Sequence, residues 1–202
     1  MIAASCERAV ILVIDTSSAK SAIALLTPSG EVIREELHLS GRTFDLPERF
    51  RSLAGDATLS KIAVATGPGS FTGLRVGVSF GLGLAIGLRV PIVPLATLAI
   101  QASRSEDDVV AVAEAGRGRV YYAAVGGPPA LAEPAGLPST LAVVGWLRPS
   151  TEEAIRAAGL EMRQDSELRS FGRAAWLVLE TAPEAPYGSL QIQYMQSFSV
   201  RA

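Results

Sequence analysis

Residues 66–89 read TGPGSFTGLRVGVSFGLGLAIGLR. The apolar run before them, Lys61-Ile62-Ala63-Val64-Ala65, reads as a buried strand. Gly67 to Gly73 is too rich in glycine for regular structure and reads as a loop, and from Thr72 the pattern turns helical. A strand, a glycine loop and a helix start together form a geometry that holds anions. The first N–H groups of a helix lack partners and carry partial positive charge. The helix contains Gly77, Gly81, Gly83 and Gly87. Each costs about 1 kcal/mol relative to alanine, so packing must offset roughly 4 kcal/mol. Gly73, Gly77 and Gly81 recur every fourth residue and line one face, where another backbone can approach closely. Leucine, valine, isoleucine and phenylalanine fill the remainder. A helix apolar all round is buried all round, which predicts a core on one side and a partner chain on the other.

Upstream, residues 8–15 (RAVILVID), 20–27 and 31–39 read as three strands of an antiparallel meander, with turns at Thr16-Ser17-Ser18 and Pro28-Ser29-Gly30. Residues 43–54 read as a short helix with Phe44, Leu46, Phe50 and Leu53 on one face and Pro47 in its first turn. Downstream, Pro91 to Leu95 is a strand, and a helix follows from Thr97, its expected cap, to Arg104. The order βββαβαβα is an α/β layout. Ser105-Glu106-Asp107-Asp108 is a polar break that sets the expected boundary between an N-terminal lobe, 1–104, and a smaller C-terminal lobe, 105–202, whose tail packs back on the first. Strands are expected at 108–115, 119–125 and 140–146. Helices are expected at 151–158, capped by Thr151, and 167–181.

The chain has 202 residues, 49% of them hydrophobic and 19% charged, which is ample for a packed core. Its net charge of −2 offers no strong grip on nucleic acid by itself. The one cysteine, Cys6, rules out a disulfide framework within the chain and points to a reducing compartment. The start, MIAASCERAV, does not read as a signal peptide. The uncharged run Val76–Leu88 falls short of the ~20 residues that span a bilayer. A cytoplasmic protein is the expectation.

One histidine, His38, sits on a strand away from any serine or cysteine nucleophile, and one His with one Cys cannot build a zinc site. No catalytic and no metal residues are expected. The loop matches neither a P-loop nor the dinucleotide fingerprint. Asp15-Thr16-Ser17-Ser18 admits two readings. The turn's N–H groups can face a phosphate while Asp15 orients a metal-bound water, or Asp15 can simply accept local N–H bonds in a hairpin turn. Gly67, Gly69, Ser70, Thr72 and Gly73 likewise form either an anion cradle or a tight turn with Ser70 and Thr72 as caps.

Three stretches, LVIDTSSAKSAIALL at 12–26, VATGPGSFTGLRVGVSFGLGLAIGLRVPIVPLATL at 64–98 and EAGRGRVYYAAV at 114–125, resemble the TsaB family, also called YeaZ. GPGSFTGLR is the most specific of these motifs, and Ile192-Gln193-Tyr194-Met195 matches a C-terminal motif loosely. The resemblance implies a two-lobed actin-like or Hsp70-like ATPase fold (ASKHA, with ribonuclease H-like lobes). It implies a scaffold role beside the catalytic subunit TsaD, which threonylcarbamoylates the adenosine next to the anticodon in tRNAs reading ANN codons. It implies TsaE as a further partner, a homodimer when alone, tRNA contact only through the complex, and at most ATP or ADP at the TsaD interface. Asp15, Thr16, Ser17 and the glycine loop are the phosphate-loop-like positions. Phe44, Phe50, Leu74, Gly77, Phe80, Gly81 and Leu84 are the expected interface. An actin-like ATPase and a peptidase acting on TsaD are the alternatives. The family commonly has Asp where this chain has Glu114, and the C-terminal half is short.

Overall fold

The structure, a computed structural model, describes residues 9–39 and 45–193. β1 (Val10–Asp15), β2 (Lys20–Leu26) and β3 (Val32–Leu39) form the antiparallel meander. α1 (Leu46–Ala54), β4 (Leu59–Gly67), α2 (Phe71–Leu88), β5 (Ile92–Ala96) and α3 (Thr97–Ser103) follow. β4 runs parallel to β1 and β5 parallel to β4, giving a five-stranded sheet in the order β3-β2-β1-β4-β5. Every residue of β1 is buried, as a strand covered on both faces must be.

The second sheet contains β6 (Val110–Gly116), β7 (Arg119–Ala123), β8 (Ala130–Ala132) and β9 (Val143–Val144), in the order β8-β7-β6-β9. Its antiparallel meander with one parallel neighbour repeats the arrangement β3-β2-β1-β4. α4 (Pro149–Ala157) inserts Ile155 into the core of this sheet. α5 (Phe171–Leu179) instead returns to the first sheet, where Phe171, Ala174, Ala175 and Leu179 pack against Ile11, Val13, Ala22 and Ala24. The opposite face of that sheet packs Leu12, Ile14, Ile62 and Val64 against α1 and α2. The chain after α5 also lies on the first lobe: Ala185 bridges Ile92, and the Tyr187 hydroxyl donates to the Val90 carbonyl at 2.8 Å.

The glycine ridge of α2 faces inward, against the expectation of a partner chain there. A Cβ on Gly73 would lie 1.9 Å from the Thr16 carbonyl oxygen, on Gly77 2.4 Å from Thr16 Oγ1, and on Gly81 2.3 Å from Val64 Cγ1. The close neighbours are the chain's own turn after β1 and the Val64 side chain of β4. Gly77, Gly81 and Leu74, expected at an interface, are core residues. Phe50 and Phe80 are half-buried and pack edge to face at 5.8 Å, joining α1 to α2, and Leu84 is half-buried on the same core. Phe44 lies outside the described residues. A four-residue glycine spacing serves a sheet surface as well as a helix, and periodicity alone does not distinguish the two.

Other differences are local. Ser70, not Thr72, caps α2. Thr97 and Thr151 lie inside their helices; both are buried, and neither caps. The apolar run 140–146 keeps only two strand residues, because Trp146 turns into the first core beside Phe171. α2 has 18 residues and a mean hydropathy of 1.5, enough by length and composition to cross a membrane. Its glycine face is nevertheless seated on β1 and β4.

Candidate functional site: a sealed loop beside an open cleft

Asp15 ends β1 and is fully buried. Its Oδ1 accepts from the Ser17 N–H at 2.8 Å and from Ser17 Oγ at 2.6 Å. Its Oδ2 is buried with no partner among the described residues. Burial pushes the carboxyl pKa above its ordinary value near 3.8, and the two Ser17 bonds only partly oppose this. Ser17 Oγ also accepts from Thr97 Oγ1, at the start of α3, at 3.1 Å.

The glycine loop closes over this turn. Ser70 N–H donates to the Ser17 carbonyl at 2.7 Å, and Thr16 Oγ1 donates to the Gly73 carbonyl at 2.6 Å. A Cβ on Gly69 would stand 2.5 Å from the Ser17 carbonyl oxygen. The two loops are fastened to each other by one backbone–backbone bond and one bond from the Thr16 hydroxyl. Gly67 has φ +114°, a left-handed conformation that favours glycine, and a side chain there would also meet the Gln193 carbonyl at 2.9 Å.

Beside the sealed loops lies an open cleft of about 310 Å³ between the start of α2 and the β6–β7 turn. Gly69, Ser70 and Thr72 line one wall, and Glu114, Tyr121 and Arg148 line the other. Ser70 Oγ accepts from the Gly73 N–H at 3.3 Å, and Glu114 Oε1 from the Arg148 N–H at 2.8 Å. Burial raises the Tyr121 hydroxyl pKa above 10.0, against a smaller pull downward from the Arg119 charge. Phe71 stands at the mouth with the Arg75 guanidinium 4.3 Å from its ring centre. His38, on edge strand β3, bonds Glu36 Oε2 at 3.1 Å. Among the described residues no three His, Cys, Asp or Glu side chains group to hold a metal ion.

With this geometry in hand, comparison with known proteins is informative. The family of TsaD, tRNA N6-adenosine threonylcarbamoyltransferase, matches residues 54–128. The tRNA threonylcarbamoyladenosine biosynthesis protein TsaB of Haemophilus influenzae is 30% identical over 57% of this chain and 53% of its own length. TsaB of Bacillus subtilis is 36% identical over 55% of this chain and 52% of its own length. The structure of YeaZ from Pseudomonas aeruginosa superposes with a TM-score of 0.71, covering 93% of this chain and 100% of that one at 21% identity. The chain is similar to TsaB over about half its length. It shares the fold of YeaZ. The chain spans about half the length of the curated TsaB proteins it matches.

The TsaB motifs gather the residues singled out in the sequence, but for different purposes. Asp15, Thr16, Ser17, Gly69, Ser70 and Gly73 meet in one cluster, and of these only Gly69 and Ser70 also reach the cleft. Thr72 lines the cleft from the first turn of α2, and Gly67 turns the chain beneath it. Sequence reading missed Tyr121, Arg148 and Phe71 as cleft residues. Tyr121 lies within a mostly apolar strand, and Arg148 merely precedes a helix-starting proline, so neither carried a local signal. Glu114 stood out only as a departure from the TsaB pattern.

Proposed function

We propose that this chain is a non-catalytic helper subunit in forming threonylcarbamoyladenosine beside the anticodon of tRNAs reading ANN codons. It acts by docking TsaD. The names of its relatives support the pathway, and the outward face of α2 supports docking. Val76 is 45% exposed and Ile86 is 51% exposed. Gly83 and Gly87 on the same side have nothing within 4 Å of a notional Cβ. A helix showing valine, serine, glycine and isoleucine on one stripe lets a second helix approach closely and buries apolar surface as it does so. This stripe takes over the role that Gly77, Gly81 and Leu74 cannot fill.

In this reading a second copy occupies the stripe when TsaD is absent. TsaE and tRNA join through the assembled complex in the cytoplasm, and any ATP or ADP sits at the TsaD interface. The ATPase alternative draws on Asp15, whose carboxyl is buried beneath the closed loops. The peptidase alternative draws on a nucleophile and base, yet Ser70 caps α2 and His38 bonds Glu36.

The test is co-expression with TsaD, mass measurement of the complex, and reconstitution of the modification on tRNA. A stable heterodimer that Gly83→Arg abolishes, with product formation lost in parallel, is the expected result. Full product in the absence of this protein would end the proposal.

A further inference from the structure

A second cavity, of about 190 Å³, opens beside α4 and shares no lining residue with the cleft at the start of α2. Glu152 and Arg156 of α4 stand on one side of it, one helical turn apart. Arg163 and Asp165 come from the segment between α4 and α5, Lys20 from the start of β2, and Trp146 from the chain after β9. Backbone bonds hold these walls in place. The Arg163 N–H donates to the Val143 carbonyl at 3.0 Å, and the Trp146 carbonyl accepts from the Ala19 N–H at 3.3 Å. An occupant therefore meets a preformed site and orders little on entry.

Two polar groups at this cavity are buried and unsatisfied. Trp146 is 1% exposed, and its Nε1 has no partner among the described residues. Arg163 donates from Nη2 to Asp107 Oδ2 at 3.0 Å, but its Nε is buried and has no partner among the described residues. Both groups are N–H donors, so what they lack is an acceptor. A buried donor without one costs free energy until an acceptor arrives. The positive charges of Arg163 and Arg156 favour an acceptor that is anionic.

The negative side chains decide what else the occupant carries. Both oxygens of Asp165 are taken, one by Lys20 and one by Arg104. The Glu152 carboxylate accepts a single bond among the described residues, from Arg156 at 3.4 Å. An exposed pair four residues apart on a helix is weak, so Glu152 is available to a cation and Arg156 to an anion. Pockets for drug-sized molecules begin at about 300 Å³, and this cavity is smaller. An anion-seeking wall and a cation-seeking wall this close together fit a small molecule that carries both charges.

We propose that this cavity binds a free α-amino acid, its carboxylate meeting Trp146 Nε1, Arg163 and Arg156 and its ammonium group meeting the Glu152 carboxylate. The site is distinct from the cleft at the start of α2 and from the outward stripe of that helix.

The experiment is a titration of the full chain with L-alanine, with propionate, which lacks the ammonium group, and with L-alaninamide, which lacks the carboxylate. The readout is the indole N–H signals in NMR, of which the chain has two, from Trp146 and Trp176. The expected result is a saturable shift of the Trp146 signal with Trp176 unmoved, and binding of L-alanine about tenfold tighter than that of either comparator, in line with one charge-assisted hydrogen bond. Glu152→Gln should weaken L-alanine about tenfold and leave propionate unchanged. Arg163→Gln should weaken both about tenfold. Arg148→Ala, on the other cleft, should leave L-alanine binding unchanged. Glu152 is partly exposed on α4, so its variant keeps the test readable even where Arg163→Gln unfolds. An unmoved Trp146 signal, equal affinity for L-alanine and either comparator, or L-alanine binding indifferent to Glu152→Gln would overturn the proposal. The docking role would stand in each case, since no residue of the outward stripe is involved.

Discussion

At the scale of the residue, Asp15 is the clearest case of a side chain whose setting differs from its motif. An aspartate at a strand end before hydroxyls looks like a phosphate-loop acid, and the sequence admits that reading beside a plain hairpin turn. The structure places it under the loops, with Oδ1 bonded and Oδ2 orphaned. Its pKa is raised by burial, so the folded state holds the proton more tightly than the unfolded chain. Stability is therefore fully present below the ordinary value near 3.8 and declines as pH rises from there through the folded pKa. Urea denaturation between pH 4 and 7 should show this decline, and Asp15→Asn, which cannot ionise, should lose this part of the slope. Asp15→Ala should cost about 1–3 kcal/mol near pH 4, because it strips the acceptor from the buried Ser17 N–H and hydroxyl, and the difference should shrink as pH rises. A parent protein whose pH profile matches that of Asp15→Asn would show that the carboxyl does not titrate in this range.

At the scale of the element, α2 makes opposite demands on its glycines. Gly73→Ala puts a methyl 1.9 Å from a carbonyl oxygen held by the sheet, and Gly77→Ala puts one 2.4 Å from Thr16 Oγ1. Each should destabilise by about 1–3 kcal/mol through overpacking. Gly83→Ala meets open space and removes a flexible residue, so it should stabilise by about 1 kcal/mol. Thermal unfolding of the three variants checks the signs; a loss of stability in Gly83→Ala would mean that its face is already covered. Much of this element was legible beforehand: its extent to within a residue, the strand before it and the strand after it all follow from periodicity and glycine placement. Which way its ridge faced was not legible. Exposure of Val76 and Ile86 and burial of Gly77 depend on where β1 and β4 lie, and a helix apolar on every side carries no moment that points to the sheet. The cleft was illegible for a related reason, since its walls come from residues about 40 to 80 positions apart, Ser70 against Glu114 and Arg148.

At the scale of the whole molecule, the question is what holds two sheets together. The sequence suggested the break after α3 and the return of the tail, but not that α5 belongs to the first core; its apolar face fits either sheet. The structure adds a polar clamp at the junction. Asp165, between α4 and α5, pairs with Lys20 of β2 and receives Arg104 Nη2 at 2.6 Å. Arg104 is 4% exposed and lies 4.8 Å over the Trp146 ring. Arg169 extends the clamp, donating to the Ser105 carbonyl at 2.6 Å and the Ser103 carbonyl at 3.0 Å. Partial burial of Asp165 alone would raise its pKa; the bonds and charges of Lys20 and Arg104 outweigh that and lower it. A lowered folded pKa means that the clamp contributes stability above the ordinary value near 3.8 and loses it as pH falls through the folded value. Asp165→Asn should therefore cost about 1–3 kcal/mol at neutral pH, because it leaves the buried Arg104 charge without its counter-ion, and should remove that part of the acid-induced loss. Half of the Asp165 side chain is open to solvent, so salt should narrow the difference between parent and variant. Amide exchange at the junction offers the sharper measurement: faster exchange in Ala19 and Arg169, whose N–H groups bond across it to Trp146 and Arg104, with β1 unaffected, is the signature of loosened lobes. Uniform acceleration throughout the sheet would instead mean that the two lobes unfold as a single unit.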